Sequence, residues 1–176
     1  MNLLRRQCLA AALLLAVAWP ALAGGPPPWP ELKTDVRRRY PTVPQLPVPA
    51  LQAWLQDASK PPPLLLDVRT AEEFADGHLA GALPVGSARE AMKLLQERPA
   101  GTPVVLYCSV GERSSALAEA LMSRGVRSVQ NLEGSLFEWA NTGHAVVGDT
   151  GRSGKVHPYD RQWGQLLRRE LWSREP

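Results

Sequence analysis

Sulfur is scarce in this chain: two cysteines and three methionines among 176 residues. Cys8 falls in a leader-like N-terminus, which leaves Cys108 alone in everything that follows. A lone cysteine forms no internal disulfide, so a disulfide-stapled fold is excluded there. Excess charge of one sign is missing too. The 20 Lys and Arg face 17 Asp and Glu, and without Arg5 and Arg6 the balance is 18 to 17. A net charge near +1 gives no footprint for nucleic acid or a membrane surface. Histidine is sparse, and His78, His144 and His157 have no metal-ligand spacing. A Gly-rich nucleotide loop is absent as well, so neither a metal nor a cofactor is expected.

Long apolar runs are also lacking. Leu9 to Trp19 falls short of the roughly 20 residues a spanning helix needs. It follows the basic pair Arg5-Arg6 and precedes Ala21-Leu22-Ala23, a small-x-small pattern that marks cleavage. The expectation is a signal peptide over 1–23, export with periplasmic localisation, and no stable membrane insertion after cleavage. The competing reading is an uncleaved anchor or a buried helix.

Twelve of the 17 prolines lie in the first 63 residues. They predict an extended tether from Gly24, then a short helix on Leu32, Val36 and Tyr40 that Pro41 stops. Arg37 to Arg39 are expected on its solvated face. Beyond residue 43 the pattern alternates. Buried strands are predicted at 64–68, 83–85, 104–107 and 129–132, with helices at 49–56, 72–76, 88–96, 114–124 and 135–141. In the helix after 114 the inner stripe is Leu117, Ala118, Leu121 and Met122. Strand–helix alternation implies an α/β fold with a central parallel sheet and helices on both faces. After a polar stretch, Trp163, Leu166, Leu167 and Leu171 share a helical face and predict a docked C-terminal helix, or a partner-binding one. The organisation is thus a tether and short helix over 24–42, a domain over 43–148 and an extension over 149–176.

Within this layout LYCSVGERSS (106–115) puts Cys108 at the carboxyl end of a buried strand, just before a helix. That rim of a parallel sheet is where ligands bind. Consecutive loop N–H groups form an anion nest, and the helix N-terminus adds its dipole. Both lower a thiol's pKa, with Gly111 allowing the tight curl and Arg113 adding charge. The candidate nucleophile is Cys108, cradled by Ser109, Val110, Gly111, Glu112, Arg113 and Ser114. The bland alternative is a buried structural cysteine.

Two segments together resemble the rhodanese, or sulfurtransferase, family over about residues 43–148. LLLDVRTAEEFADGHLAGALPV (64–85) is similar to the family's Asp-Val-Arg…Glu-Phe…Gly-His…Gly-Ala pattern at Asp67, Arg69, Glu73, Gly77, His78, Gly81 and Ala82. YCSVGERS (107–114) is similar to its active-site loop, with Cys108 in place of the sulfur-carrying cysteine. Gly134-Ser135 departs from a common Gly-Gly and is expected not to touch the chemistry. The tail lies outside the resemblance and is assigned no activity.

The resemblance implies a rhodanese-like fold and a Cys108 persulfide. The sulfur would come from a small sulfur-containing anion such as thiosulfate and pass to cyanide or a thiol, a protein thiol included. Four residues separate Cys108 from Arg113. Related phosphatases and arsenate reductases carry five, and the shorter loop suits a sulfur atom better than a tetrahedral oxyanion. A non-catalytic persulfide carrier is the main alternative, and a phosphatase- or arsenate-reductase-like enzyme or disulfide exchange follows. Asp67, Arg69 and Glu73 are expected to brace the rim, with a direct chemical role as the rival. His78 is expected to hydrogen-bond within its loop, and Trp139 and Trp163 to pack or dock.

Overall fold

In a computed structural model that describes residues 28–149 and 154–175, the sheet carries five strands. They are β1 (Gln45–Leu46), β2 (Leu64–Asp67), β3 (Leu83–Pro84), β4 (Val104–Tyr107) and β5 (Val129–Leu132). Their spatial order is β1-β5-β4-β2-β3, and every pairing is parallel. The predicted leader and most of the proline-rich tether lie outside the described residues.

Six helices cover the sheet: α1 (Trp29–Arg39), α2 (Val48–Gln56), α3 (Ala71–Asp76), α4 (Ala88–Gln96), α5 (Glu112–Met122) and α6 (Ser135–Asn141). Side chains alternate across a strand, and the central strands show which layer each face meets. Leu65, Val105 and Tyr107 belong to one core with α1, α2, α6 and the tail. Leu64, Leu66, Val104 and Leu106 belong to the other with α4 and α5. β2 and β4 are buried at all four positions, as continuous apolar runs between two helical layers must be.

Three expectations change. α5 begins at Glu112, because Gly111 at φ 107 turns the chain directly from loop into helix. Its inner stripe therefore includes the buried Ser114 and Ser115, while Leu117 and Met122 are only half-buried. The tail docks, but as two 3-10 turns (Trp163–Leu166 and Arg169–Leu171) in place of one continuous helix. A bridge between Val156 and Trp172 folds the segment back on itself. Arg174 then ties its end to Glu72 and Asp76.

The third change concerns the arginines of α1. Arg37 pairs with Glu133 and Arg39 with Glu112, both at 2.6 Å, and Lys33 reaches Glu138 at 2.6 Å. Arg37 and Arg38 keep the expected solvent exposure, with Arg38 on the neighbouring Asp35, while Arg39 is largely covered where it meets Glu112. Leu32 and Val36, four residues apart, bury the opposite face.

Candidate active site

Parallel strands bring their carboxyl ends to one rim, and β4 delivers Cys108 there with only 1% of its surface exposed. The Gly111 N–H points at Sγ from 3.1 Å. Only a residue free to take φ 107 fits: a Cβ on Gly111 would lie 3.3 Å from Asn131 Nδ2. Burial alone pushes the thiol's pKa up. The Arg113 charge, the Ser114 hydroxyl and N–H, and the Gly111 N–H outweigh it and hold Cys108 below the ordinary thiol value. The Ser114 hydroxyl also donates to Asn131 Oδ1 at 2.6 Å, so one proton faces two acceptors.

The loop is fixed from below by α6. Leu136 N–H donates to the Cys108 carbonyl at 3.1 Å and Phe137 N–H to the Ser109 carbonyl at 3.0 Å. Cys108 N–H donates to Ser135 Oγ at 3.1 Å, and Ser135 Oγ donates to the Leu132 carbonyl at 3.0 Å. Ser135 was expected to stand clear of the chemistry; instead it braces the nucleophile's own backbone. It does so at φ 50, a conformation that disfavours non-glycine residues. Ser135→Ala is expected to strand a buried N–H and lower stability by about 1–3 kcal/mol, read as a drop in the urea midpoint.

The cradle residues divide by what their side chains do. Arg113 forks onto Glu73, with Nη2 at 2.7 Å from Oε1 and Nη1 at 2.9 Å from Oε2. Nη2 also reaches Ser109 Oγ at 3.0 Å, and Ser109 donates to Glu73 at 3.1 Å. Arg113 therefore acts on the sulfur through charge. Ser109 is committed to Glu73 and Val110 to the apolar core, so neither shapes a pocket freely. Glu112 accepts from Arg39 at 2.6 Å and from the Tyr40 hydroxyl at 3.3 Å. Burial and then Glu112 push the Tyr40 phenol up to about 12.

Glu73 is the keystone behind the loop. It also closes a capping box with Thr70 at the start of α3, a Thr-x-x-Glu spacing legible in the sequence. Burial pushes its carboxyl up, but Arg113, the Thr70 N–H and Arg69 bring it down to about 2. Asp67 and Arg69 form a fully buried pair, Nη2 to Oδ2 at 2.7 Å, and Arg69 also donates to the Gly77 carbonyl at 2.6 Å. They brace the segment after β2. His78 bonds the Phe74 carbonyl at 2.9 Å and stacks on the Phe74 ring, consistent with a loop-stabilising residue. Trp139 is buried, with its indole N–H on the Ala145 carbonyl at 2.9 Å, and Trp163 packs half-buried against the core.

Tyr159 lies in the His-Pro-Tyr stretch of the tail, to which the sequence assigned no activity. Its ring sits under the Arg113 guanidinium, 5.0 Å from centroid to Cζ, a cation–π arrangement.

Known proteins resemble this chain in sequence and in fold. Over 90 residues the chain is 36% identical to a mitochondrial protein of Schizosaccharomyces pombe assigned as a thiosulfate sulfurtransferase, covering 44% of this chain and 63% of that one. Over 88 residues it is 35% identical to a protein named sulfurtransferase from Allochromatium vinosum, covering 50% and 81%. A tRNA uridine(34) hydroxylase of Chlamydia abortus shares 34% identity over 116 residues, but the chain spans only 34% of it. A rhodanese-like domain from Anabaena superposes with a TM-score of 0.53 at 25% identity, covering 62% of this chain and 83% of that one. Residues 51–142 match the rhodanese-like domain family itself, and this chain belongs to that family.

Proposed function

We propose that this protein is a sulfurtransferase that carries a sulfane sulfur as a persulfide on Cys108, with thiosulfate as a donor and cyanide or a thiol as acceptor. The observation that carries the reading is the thiol itself. Cys108 Sγ accepts the Gly111 N–H at 3.1 Å and has a lowered pKa despite near-complete burial. A desolvated sulfur whose anion is nonetheless stabilised relative to an ordinary thiol suits a sulfur-transfer nucleophile. The relatives named as sulfurtransferases support the same class.

In the first half-reaction the Cys108 thiolate attacks the outer sulfur of thiosulfate. The S–S bond breaks with its electron pair leaving on sulfite, and Cys108 keeps the sulfane sulfur as a persulfide anion. The Gly111 N–H at Cys108 Sγ and the nearby start of α5 support stabilisation of that charge. In the second, cyanide attacks the outer sulfur and departs as thiocyanate, returning the thiolate. Neither half needs a proton donor, a metal or a redox cofactor. The four-residue spacing between Cys108 and Arg113 supports sulfur over a bulkier oxyanion. Export to the periplasm belongs to this reading and rests on the basic pair, apolar run and cleavage pattern of residues 2–23.

Intact-mass analysis before and after thiosulfate, then after cyanide, tests the reading. One added sulfur, mapped to the Cys108 peptide and removed by cyanide over repeated cycles, is the expected result. Ping-pong steady-state kinetics accompany it. Loading without turnover would make the protein a sulfur carrier, and no loading would defeat the assignment.

A further inference from the structure

Two non-glycine residues among those described adopt positive φ: Ser135 at 50° and Tyr159 at 71°. Both touch the Cys108 loop. Ser135 holds the Cys108 N–H, and Tyr159 lies against Arg113. Strain kept at a residue with few compensating contacts points to a role beyond folding. Tyr159 fits that description, since 48% of its surface is exposed and it repays little of the conformational cost through burial.

The strain is built in. Tyr159 N–H donates to His157 Nδ1 at 2.9 Å and Asp160 N–H to the Pro158 carbonyl at 3.0 Å, which fixes the turn. Asp160 Oδ1 then accepts from the Trp163 N–H at 2.7 Å, where the 3-10 turn begins. Upstream, the Val156 N–H donates to the Leu171 carbonyl, and Ser173 N–H to the Val156 carbonyl. The ring is thus delivered to a set place by an anchored segment.

That place borders the solvent-facing part of the Cys108 loop. Cys108, Ser109, Val110 and Ser114 are all buried, so the loop meets solvent through Glu112 and Arg113, whose side chain is 35% exposed. Each of these two is faced by a residue from outside the family match of 51–142. Arg39 and Tyr40 lie on Glu112, and Tyr159 lies on Arg113.

We propose that Tyr159 is a specificity-determining residue: its ring forms one wall of the approach to Cys108 and restricts sulfur acceptors to small, slender nucleophiles. This rests on the sulfur-transfer reading for the identity of the cargo, while the wall itself is a property of access to the thiol. Cyanide passes the wall; a branched tripeptide thiol such as glutathione is held back.

The test compares full-length wild type with Tyr159→Gly and Tyr159→Phe. Glycine takes positive φ at no steric cost and removes the ring, so the segment keeps its path. After loading with thiosulfate, discharge is timed with cyanide and with glutathione. In Tyr159→Gly the glutathione-to-cyanide rate ratio is expected to rise on the order of tenfold. Tyr159→Phe, which retains the ring, keeps the wild-type ratio. Equal slowing with both acceptors would reveal a merely structural role and overturn the proposal, as would a shifted ratio in Tyr159→Phe.

A second readout is independent of sulfur transfer. Alkylation of Cys108 by iodoacetamide and by a bulky N-aryl maleimide is followed on the Cys108 peptide. The maleimide-to-iodoacetamide ratio should rise in Tyr159→Gly. If wild type fails to load sulfur yet this ratio rises, the transfer reading falls and the wall stands. An unchanged ratio overturns the wall whatever the loading shows.

Discussion

Cys108→Ser is expected to take up no sulfur from thiosulfate and to lose thiosulfate:cyanide transfer by at least about 10³-fold, down to background. The loss is chemical. A serine hydroxyl stays protonated where Cys108 is drawn toward its anion by Arg113, Ser114 and Gly111 against the cost of burial. Oxygen also forms no perthio linkage. The fold should survive, because a hydroxyl accepts the Gly111 N–H that Sγ now receives, and the stability read from urea unfolding should change by about 1 kcal/mol or less. Loading in the serine variant would place the sulfur elsewhere and remove Cys108 from the mechanism. The same argument sets a pH dependence in wild type. Loading should rise with the thiolate fraction through a pKa below the ordinary thiol value. Arg113→Gln should move that rise to higher pH, because the main group lowering the thiol is then gone.

Much of this site was legible because strand burial and loop chemistry both leave local marks. β4 reads as Val-Val-Leu-Tyr between Pro103 and Cys108, and its predicted bounds are those observed. The position of the nucleophile follows from them. β1 was missed, since two residues between Pro44 and Pro47 give no period, and only pairing with β5 makes Gln45–Leu46 a strand. Leu32, Val36 and Tyr40 marked α1, but nothing local shows that Arg37 finds Glu133, 96 residues on, or that Arg39 finds Glu112, 73 residues on.

 Ser135 and Tyr159 escaped for a related reason. Their roles lie in backbone conformation and in the arrival of α6 and the tail beside the loop, neither of which has a residue pattern. The spacing of Trp163, Leu166, Leu167 and Leu171 correctly marks a docking face. It fails on continuity, because Leu167 at ψ 132 and Arg168 at ψ 132 leave the helical region between the two 3-10 turns.

Glu73→Gln is expected to destabilise the protein by about 2–3 kcal/mol at neutral pH, and the deficit should shrink in acid. Glu73 is buried, and its carboxylate accepts from both Arg113 nitrogens, from Ser109 Oγ and from Thr70 N–H. Burial alone opposes the charge, but these partners lower its pKa from 4.5 to about 2. A folded pKa below the unfolded one means that folding favours the deprotonated form. The stabilisation is therefore complete above about pH 5 and is lost as pH falls from there toward 2. One pKa unit corresponds to about 1.4 kcal/mol, and the partial exposure of Arg113 trims the total through solvent screening. Glutamine preserves the shape and one acceptor but presents an amide to a guanidinium, so it retains none of the charge-dependent part. Urea unfolding of both proteins from pH 7 to pH 3 measures the difference directly. Curves that converge toward pH 3 place the stabilisation in the Glu73–Arg113 ion pair. A gap that stays constant with pH would assign it to the neutral hydrogen bonds and packing of the site, leaving Arg113 without the anchored charge that the lowered thiol pKa requires.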